Sequence, residues 1–156
     1  MISAIDTCIL LDVLLPDPVH LTASKALLDK AGAEGALLIC EMVYAELACQ
    51  FSTQYELDAF LEATGIRFTP SGRESLRKAA DAWKVYLSRR DERLQCSSCG
   101  CLTRVNCPEC GRVIVSPQHV ASDFIIGAHS LTYANRLLTR DTGFYSAYFP
   151  GLRLND

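Results

Sequence analysis

The sequence predicts an α/β fold in which a mainly parallel sheet of four to five strands is packed between two layers of helices. Three observations predict it. Short apolar runs at residues 2–6, 36–40, 66–69 and 136–139 alternate with segments of helical apolar spacing, the mark of parallel strands joined by helical crossovers. The 156 residues, 49% hydrophobic and 21% charged, suit one globular domain, residues 1–156, with length to spare for a small insertion. No stretch approaches the roughly 18 apolar residues of a membrane helix. The opening Met-Ile-Ser-Ala-Ile-Asp lacks a basic region and a cleavage site, so a cytoplasmic location is expected.

The elements follow in order. Residues 2–6 read as a buried first strand ending in Asp6. Residues 10–15 form a short apolar helix closed by Pro16 and Pro18, and residues 21–31 a second helix stopping at Gly32. Strand 36–40 leads into helices over 41–51 and 55–63, with Gly65 as the break. Strand 66–69 ends at Pro70, and Ser71 with Glu74 three residues on makes a capping box for a long helix through about Glu92. After a cysteine-rich segment come a helix over 120–133, a strand over 136–139, a helix over 142–148 and an edge strand over 152–154. In such sheets ligands collect beyond the carboxyl ends of the strands.

Acids stand at those ends. Asp6 closes the first strand, Glu46 lies in the helix after the second, Asp123 is in the first turn of its helix, and Asp141 follows the fourth strand. If they converge, they repel one another and resist burial unless cations neutralise them. Hard oxygen ligands of this kind suit Mg²⁺ or Mn²⁺, which lower the pKa of a bound water and stabilise the leaving oxygen of a phosphoryl displacement. Each acid alone also fits an ordinary role: an Asx-turn at Asp6, an exposed helix position at Glu46, helix caps at Asp123 and Asp141. No Ser/His/Asp or Cys/His arrangement competes. The net charge of −3 conceals a segment, residues 67–112, with ten of the fifteen Lys and Arg and five of the eighteen Asp and Glu. That segment is +5 against −8 for the rest, as suits a metal site fed by a phosphate-binding face, though a solvated helix shows the same bias.

Three segments carry a resemblance: Ala4-Ile5-Asp6-Thr7-Cys8-Ile9-Leu10, Asp123-Phe-Ile-Ile-Gly-Ala-His129 and Leu138-Thr-Arg-Asp-Thr-Gly-Phe-Tyr145. They resemble PIN domains, and most of all the VapC-type toxin ribonucleases of bacterial toxin–antitoxin pairs. The resemblance covers nearly the whole chain apart from residues 94–116. It implies a PIN-like three-layer α/β/α fold and a Mg²⁺- or Mn²⁺-dependent endoribonuclease acting on RNA. Such enzymes are often homodimers, and a cognate antitoxin commonly blocks the metal cleft. Asp6, Glu46, Asp123 and Asp141 match the family's acidic quartet, and Thr7 its supporting hydroxyl. A Thr hydroxyl beside Asp6 can fix a neighbouring carboxylate, and it equally suits a plain strand-to-helix turn. Gly127 is expected to let helix pack closely on sheet, His129 to be a core or surface histidine rather than a ligand, and Arg140 to be an exposed arginine beside an acid, with contact to substrate phosphate as the alternative.

Of the eight cysteines, Cys8, Cys40 and Cys49 sit singly among apolar residues, as small core residues do. The rest cluster as Cys96-Ser-Ser-Cys99-Gly100 and Cys107-Pro-Glu-Cys110-Gly111, with Cys101 between. Two CxxCG units suit four thiolates around a structural Zn²⁺, which has no open position for chemistry. The expectation is a zinc-knuckle insertion over residues 94–116, held by Cys96, Cys99, Cys107 and Cys110. Cys101 in place of Cys99, an iron–sulfur centre, and a reduced loop without metal are the alternatives. Its expected role is to pin a long loop, or to extend the binding surface through Arg104 and Arg112.

Beside the toxin ribonuclease stand two other readings. One is a PIN endonuclease of RNA processing. The other is a non-catalytic module that binds nucleic acid or protein through its zinc unit, against which the intact set of four acids argues.

Overall fold

The computed structural model describes residues 1–89, 92–95, 102–114 and 120–156. Its centre is a four-stranded sheet of β1 (Ile2–Ile5), β2 (Ala36–Ile39), β3 (Ile66–Phe68) and, late in the chain, β6 (Arg136–Leu138). The order is β3-β2-β1-β6 and every pairing is parallel. β1 and β2 pair with Ala4 opposite Leu38, and β1 and β6 with Ala4 opposite Leu137. The strands progress from β1 towards β3 on one side, while β6 returns to the other side of β1. The order therefore reverses between β1 and β6, and a crevice opens at the carboxyl ends of strands where such a reversal occurs.

The helices are α1 (Thr7–Leu14), α2 (Leu21–Glu34), α3 (Glu41–Ala48), α4 (Gln54–Thr64), α5 (Arg73–Arg89), α6 (Ala121–Tyr133) and α7 (Thr142–Tyr148). α6 lies against β1 and β6 and carries α5, whereas α2 lies against β2 and carries α1. No described helix is long and apolar enough to cross a membrane. Ile5, Ile39, Val43, Leu47, Phe124, Leu137 and Leu138 are essentially inaccessible and form the middle of the core. Phe124 anchors the start of α6. Its ring stacks on Trp83 at 5.4 Å and meets Phe144 edge-on at 5.1 Å, contacts that add to simple burial.

Several boundaries differ from those expected. α1 begins at Thr7, because Asp6 leaves the strand at φ −78° and ψ 148° and serves as the residue before the helix. α2 continues through Gly32 to Glu34, since Gly32 faces Leu37 and a glycine inside a helix costs only about 1 kcal/mol. Thr53 rather than Tyr55 starts α4, its side chain accepting from the Glu56 N–H. At the other end Gly65 adopts the left-handed conformation, φ 66°, and its N–H returns to the Glu62 and Leu61 carbonyls. The Ser71–Glu74 capping box does not form. α5 starts at Arg73, the Ser71 hydroxyl has no hydrogen-bond partner among the described residues, and Glu74 pairs with Lys78. The Ser71 N–H instead donates to Glu41, so tertiary contact decides that turn. α5 stops at Arg89, short of Glu92. The edge strand expected over 152–154 shrinks to a single parallel bridge, Leu137 with Leu154. Cys8 and Cys40 are half-buried and buried, but Cys49 is exposed because α3 ends one residue before it.

Between α5 and α6, β4 (Leu94–Gln95) pairs antiparallel with β5 (Leu102–Thr103). A second hairpin follows, with Asn106 bridged to Val113 and the Ile114 N–H donating to the Val105 carbonyl.

Two residues of α6 make the packing testable. Gly127 faces the Phe149 ring rather than the sheet, and a Cβ there would stand 2.4 Å from Cε2 of that buried ring. Gly127→Ala is expected to destabilise the protein by about 1–3 kcal/mol, read as a lower urea midpoint at unchanged slope. An unchanged midpoint would mean that the ring yields. His129 is 1% exposed, its Nε2–H donating to the Thr69 carbonyl at 2.8 Å, and burial holds its pKa below the ordinary 6.5. A depressed folded-state pKa contributes stability above pH 6.5 that is lost as pH falls through the folded value. His129→Gln keeps an N–H donor and does not titrate. Its urea midpoint should therefore decline less than that of the native protein between pH 7 and pH 5, and parallel declines would exclude this role.

Candidate functional site

The rim of the sheet where β1 and β6 end is built by adjacent turns. The Asp6 N–H donates to the Leu138 carbonyl at 2.9 Å, extending the β1–β6 ladder one step past the strands. This register sets Asp6 beside Thr139. The Thr139 hydroxyl is buried; it donates to Asp6 Oδ2 at 2.6 Å and accepts the Asp141 N–H at 3.0 Å. The Cys8 thiol also approaches Asp6 Oδ2, at 3.4 Å. Although Asp6 precedes α1, its side chain makes no capping bond, and besides Thr139 and Cys8 it meets the Thr7 backbone N–H. Its carboxylate points into the rim.

Burial raises the pKa of Asp6 first. The Thr139 and Cys8 hydrogen bonds oppose that shift, and the nearby charge of Asp123 reinforces it. A second effect of the same acids falls on Tyr145, which is 1% exposed. Burial pushes its phenol far up, and the charges of Asp6, Asp123 and Asp141 push it further. The three aspartates, from β1, α6 and the loop after β6, therefore act on one buried ring. Glu46 joins them through Thr7, whose hydroxyl hydrogen-bonds the Glu46 carboxylate. Thr7 is the first residue of α1, next to Asp6, and it ties α1 to α3 across the rim.

Each acid also has a local partner. Asp123 Oδ2 accepts the Val120 N–H at 2.9 Å, and Asp141 Oδ1 accepts the Phe144 N–H at 3.2 Å at the start of α7. The structure thus brings the four acids to one rim of the sheet. Among the described residues, however, no three His, Cys, Asp or Glu side chains already stand arranged to hold a metal ion. Carboxylates near one another repel, and the hydroxyl and N–H donors are the partners that offset this here.

Thr139 was not singled out by the sequence, although it lies inside a recognised segment. The available signal was a hydroxyl one residue past the strand, opposite the acid that ends its neighbour. Arg140 is an exposed arginine beside an acid, as expected. Its Nε lies 3.0 Å from Oδ2 of the buried Asp12, which also accepts from the Ser24 hydroxyl at 2.6 Å.

Of the thiols expected to form a knuckle, Cys107 and Cys110 are described, and Cys96, Cys99 and Cys101 lie outside the described residues. Cys107 and Cys110 share a tight turn in which the Gly111 N–H donates to the Cys107 carbonyl at 2.9 Å and the Cys107 N–H to the Arg112 carbonyl at 2.8 Å. Gly111 takes the left-handed conformation, φ 70°. The backbone N–H groups of Cys110 and Glu109 aim at the Cys107 sulfur and lower its pKa, as donors to a thiolate do.

No protein-family model and no curated protein matches the sequence. Among solved structures, the chain is similar to one in the crystal structure of VapBC2 from Rickettsia felis bound to a DNA fragment from their promoter. The TM-score is 0.59 at 14% sequence identity, over 99% of this chain and 97% of that one. The similarity spans the parallel sheet and the helices on both its faces, and the fold is accordingly a PIN-like three-layer α/β/α arrangement.

Proposed function

We propose that this protein is a divalent-metal-dependent endoribonuclease that hydrolyses RNA phosphodiester bonds, the toxin of a type II toxin–antitoxin pair. The observation that carries the reading is Asp6. It is a carboxylate buried at the strand-order reversal, held by Thr139, and raised in pKa by burial and by the charge of Asp123. A bare acid is costly there, and a cation offsets the cost. Four carboxylates on one rim, with oxygen donors alone, fit Mg²⁺ or Mn²⁺ better than a softer ion. Asp6, Glu46, Asp123 and Asp141 would hold it.

When bound, such an ion supplies Lewis-acid stabilisation of phosphate charge and a water of lowered pKa. The chain's own residues do the rest. Thr139 fixes the Asp6 carboxylate, and Thr7 fixes Glu46. Phe124, locked among aromatic rings, sets the position of the neighbouring Asp123. α5, which carries Arg73, Arg77, Lys78, Lys84 and Arg89, packs on α6 and offers the RNA backbone a basic approach. The partner is an antitoxin that covers the acidic rim; the fold shared with a chain of VapBC2 supports that pairing. A homodimer and a cytoplasmic location complete the proposal.

The inserted segment is proposed to hold a structural Zn²⁺ through Cys96, Cys99, Cys107 and Cys110. The turn at Cys107 and Cys110 fits the ion, because backbone N–H groups directed at sulfur favour the thiolate that zinc requires.

Two outcomes test these readings. In a total RNA pool with Mg²⁺ or Mn²⁺, Asp6→Asn and Asp123→Asn are each expected to cut about 100-fold more slowly than the native protein, and EDTA to abolish cleavage. Equal cleavage by native and variant proteins removes the site assignment, and growth arrest that survives Asp6→Asn points to a binding module. Metal analysis of purified protein should find about one Zn²⁺ per chain. Cys107→Ser should lose that zinc and lower the melting temperature while Mg²⁺-dependent cleavage persists. A native protein without zinc sinks the knuckle.

A further inference from the structure

The segment after α7 returns to the rim, and one residue in it has an unusual backbone. Asn155 is in the left-handed conformation, φ 62°, and is the one non-glycine residue at positive φ among the described residues. Asparagine tolerates that region better than most side chains. There its side-chain amide brackets the backbone of Thr139. Asn155 Oδ1 accepts the Thr139 N–H at 2.9 Å, and Nδ2 donates to the Thr139 carbonyl at 2.9 Å. Its own N–H donates to the Leu137 carbonyl at 3.0 Å, while the Leu137 N–H reaches the Arg153 carbonyl at 2.9 Å.

This bracket matters because of what Thr139 does next. β6 ends at Leu138, so Thr139 lies just past the ladder, and an amide taking both its N–H and its carbonyl does the work of a neighbouring strand. The same residue's hydroxyl holds Asp6 Oδ2 at 2.6 Å and accepts the Asp141 N–H at 3.0 Å. The carboxylate of Asp6 and the backbone of Asp141 thus meet one hydroxyl, and the backbone that carries it is gripped by Asn155. Thr139 and Asn155 also line one open cavity of about 520 Å³ with His20, Ser24, Arg140 and Thr142. The bracket therefore has space on one side and no packed wall to replace it.

We propose that Asn155 is a positioning residue: its amide fixes Thr139, and through Thr139 it sets the Asp6 carboxylate and the turn that starts at Asp141. The geometry stands by itself, and its consequence for cleavage rests on the nuclease reading above.

Asn155→Gly is the appropriate variant, because glycine accepts positive φ without strain and removes only the amide. Two readouts separate this inference from the nuclease reading. In nuclear magnetic resonance, Asn155→Gly should accelerate hydrogen exchange at the Thr139 amide and shift the Asp6 carboxyl carbon resonance, with the circular dichroism spectrum unchanged. An unmoved Asp6 resonance overturns the inference whether or not the protein cuts RNA. In cleavage assays, kcat should fall about 10- to 100-fold with KM little changed, the loss expected when a group that orients a metal ligand is removed. Full kcat in the variant also overturns it. A native protein that cleaves nothing sinks the nuclease reading, and the resonance shift then decides the role of Asn155 alone.

Discussion

The hydrogen bond from the Thr139 hydroxyl to the Asp6 carboxylate joins the two strands whose adjacency defines the sheet's reversal point. It forms because β1 and β6 pair in one register, Ile5 opposite Leu138, which places the next residue of each strand side by side. A slip of one residue would turn the hydroxyl to the opposite face and take from the buried Asp6 its shortest hydrogen bond. Register is held from both ends. At the far rim the buried Arg136 donates through Nε to the Ser3 hydroxyl at 2.9 Å and pairs with Glu34 at 2.5 Å. The guanidinium is buried while Glu34 reaches solvent, and a mispaired arrangement would leave the arginine uncompensated.

The acidic rim is an electrostatic compromise. Core packing brings Phe124, Phe144 and Tyr145 together, and these residues are next to or near Asp123 and Asp141. Hydrophobic burial thus holds carboxylates near one another although their charges disfavour it. The cost appears in Asp6, whose pKa rises with burial and with Asp123, and in Tyr145, whose phenol is pushed up by burial first and by the charges of the surrounding acids after it. Local donors soften the cost: Thr7 for Glu46, the Val120 N–H for Asp123 and the Phe144 N–H for Asp141. These donors are what the structure sets against the repulsion among the acids.

The segment between α5 and α6 follows a different rule. α5 and α6 pack along each other, and none of the buried core residues comes from the described part of the chain between them. In it the Gly111 N–H closes on the Cys107 carbonyl, so backbone hydrogen bonds rather than burial shape the turn.

Much of this was legible in the residues themselves. Apolar runs and their alternation with helical segments determined the parallel sheet; its inner strands β1 and β2 are buried almost throughout, while β3 at the edge leaves Arg67 and Phe68 exposed. Asp6, Asp123 and Asp141 were legible as candidates because each follows a strand or stands in the first turn of a helix, whereas Glu46, inside α3, was singled out by the resemblance, and the Thr7 hydroxyl was legible as a support for a neighbouring acid. Three things only the tertiary structure decided. Thr139 and Asn155 matter through partners far along the chain, at positions 6 and 139, and no local pattern reports a hydrogen bond across such a separation. The Ser71–Glu74 cap failed because Glu41, 30 residues away, took the Ser71 N–H first. Gly127 was expected to face the sheet and instead meets the Phe149 ring. The common reason is range: propensity and capping act within a turn or two of the chain, whereas packing and register settle which distant groups compete for the same donor.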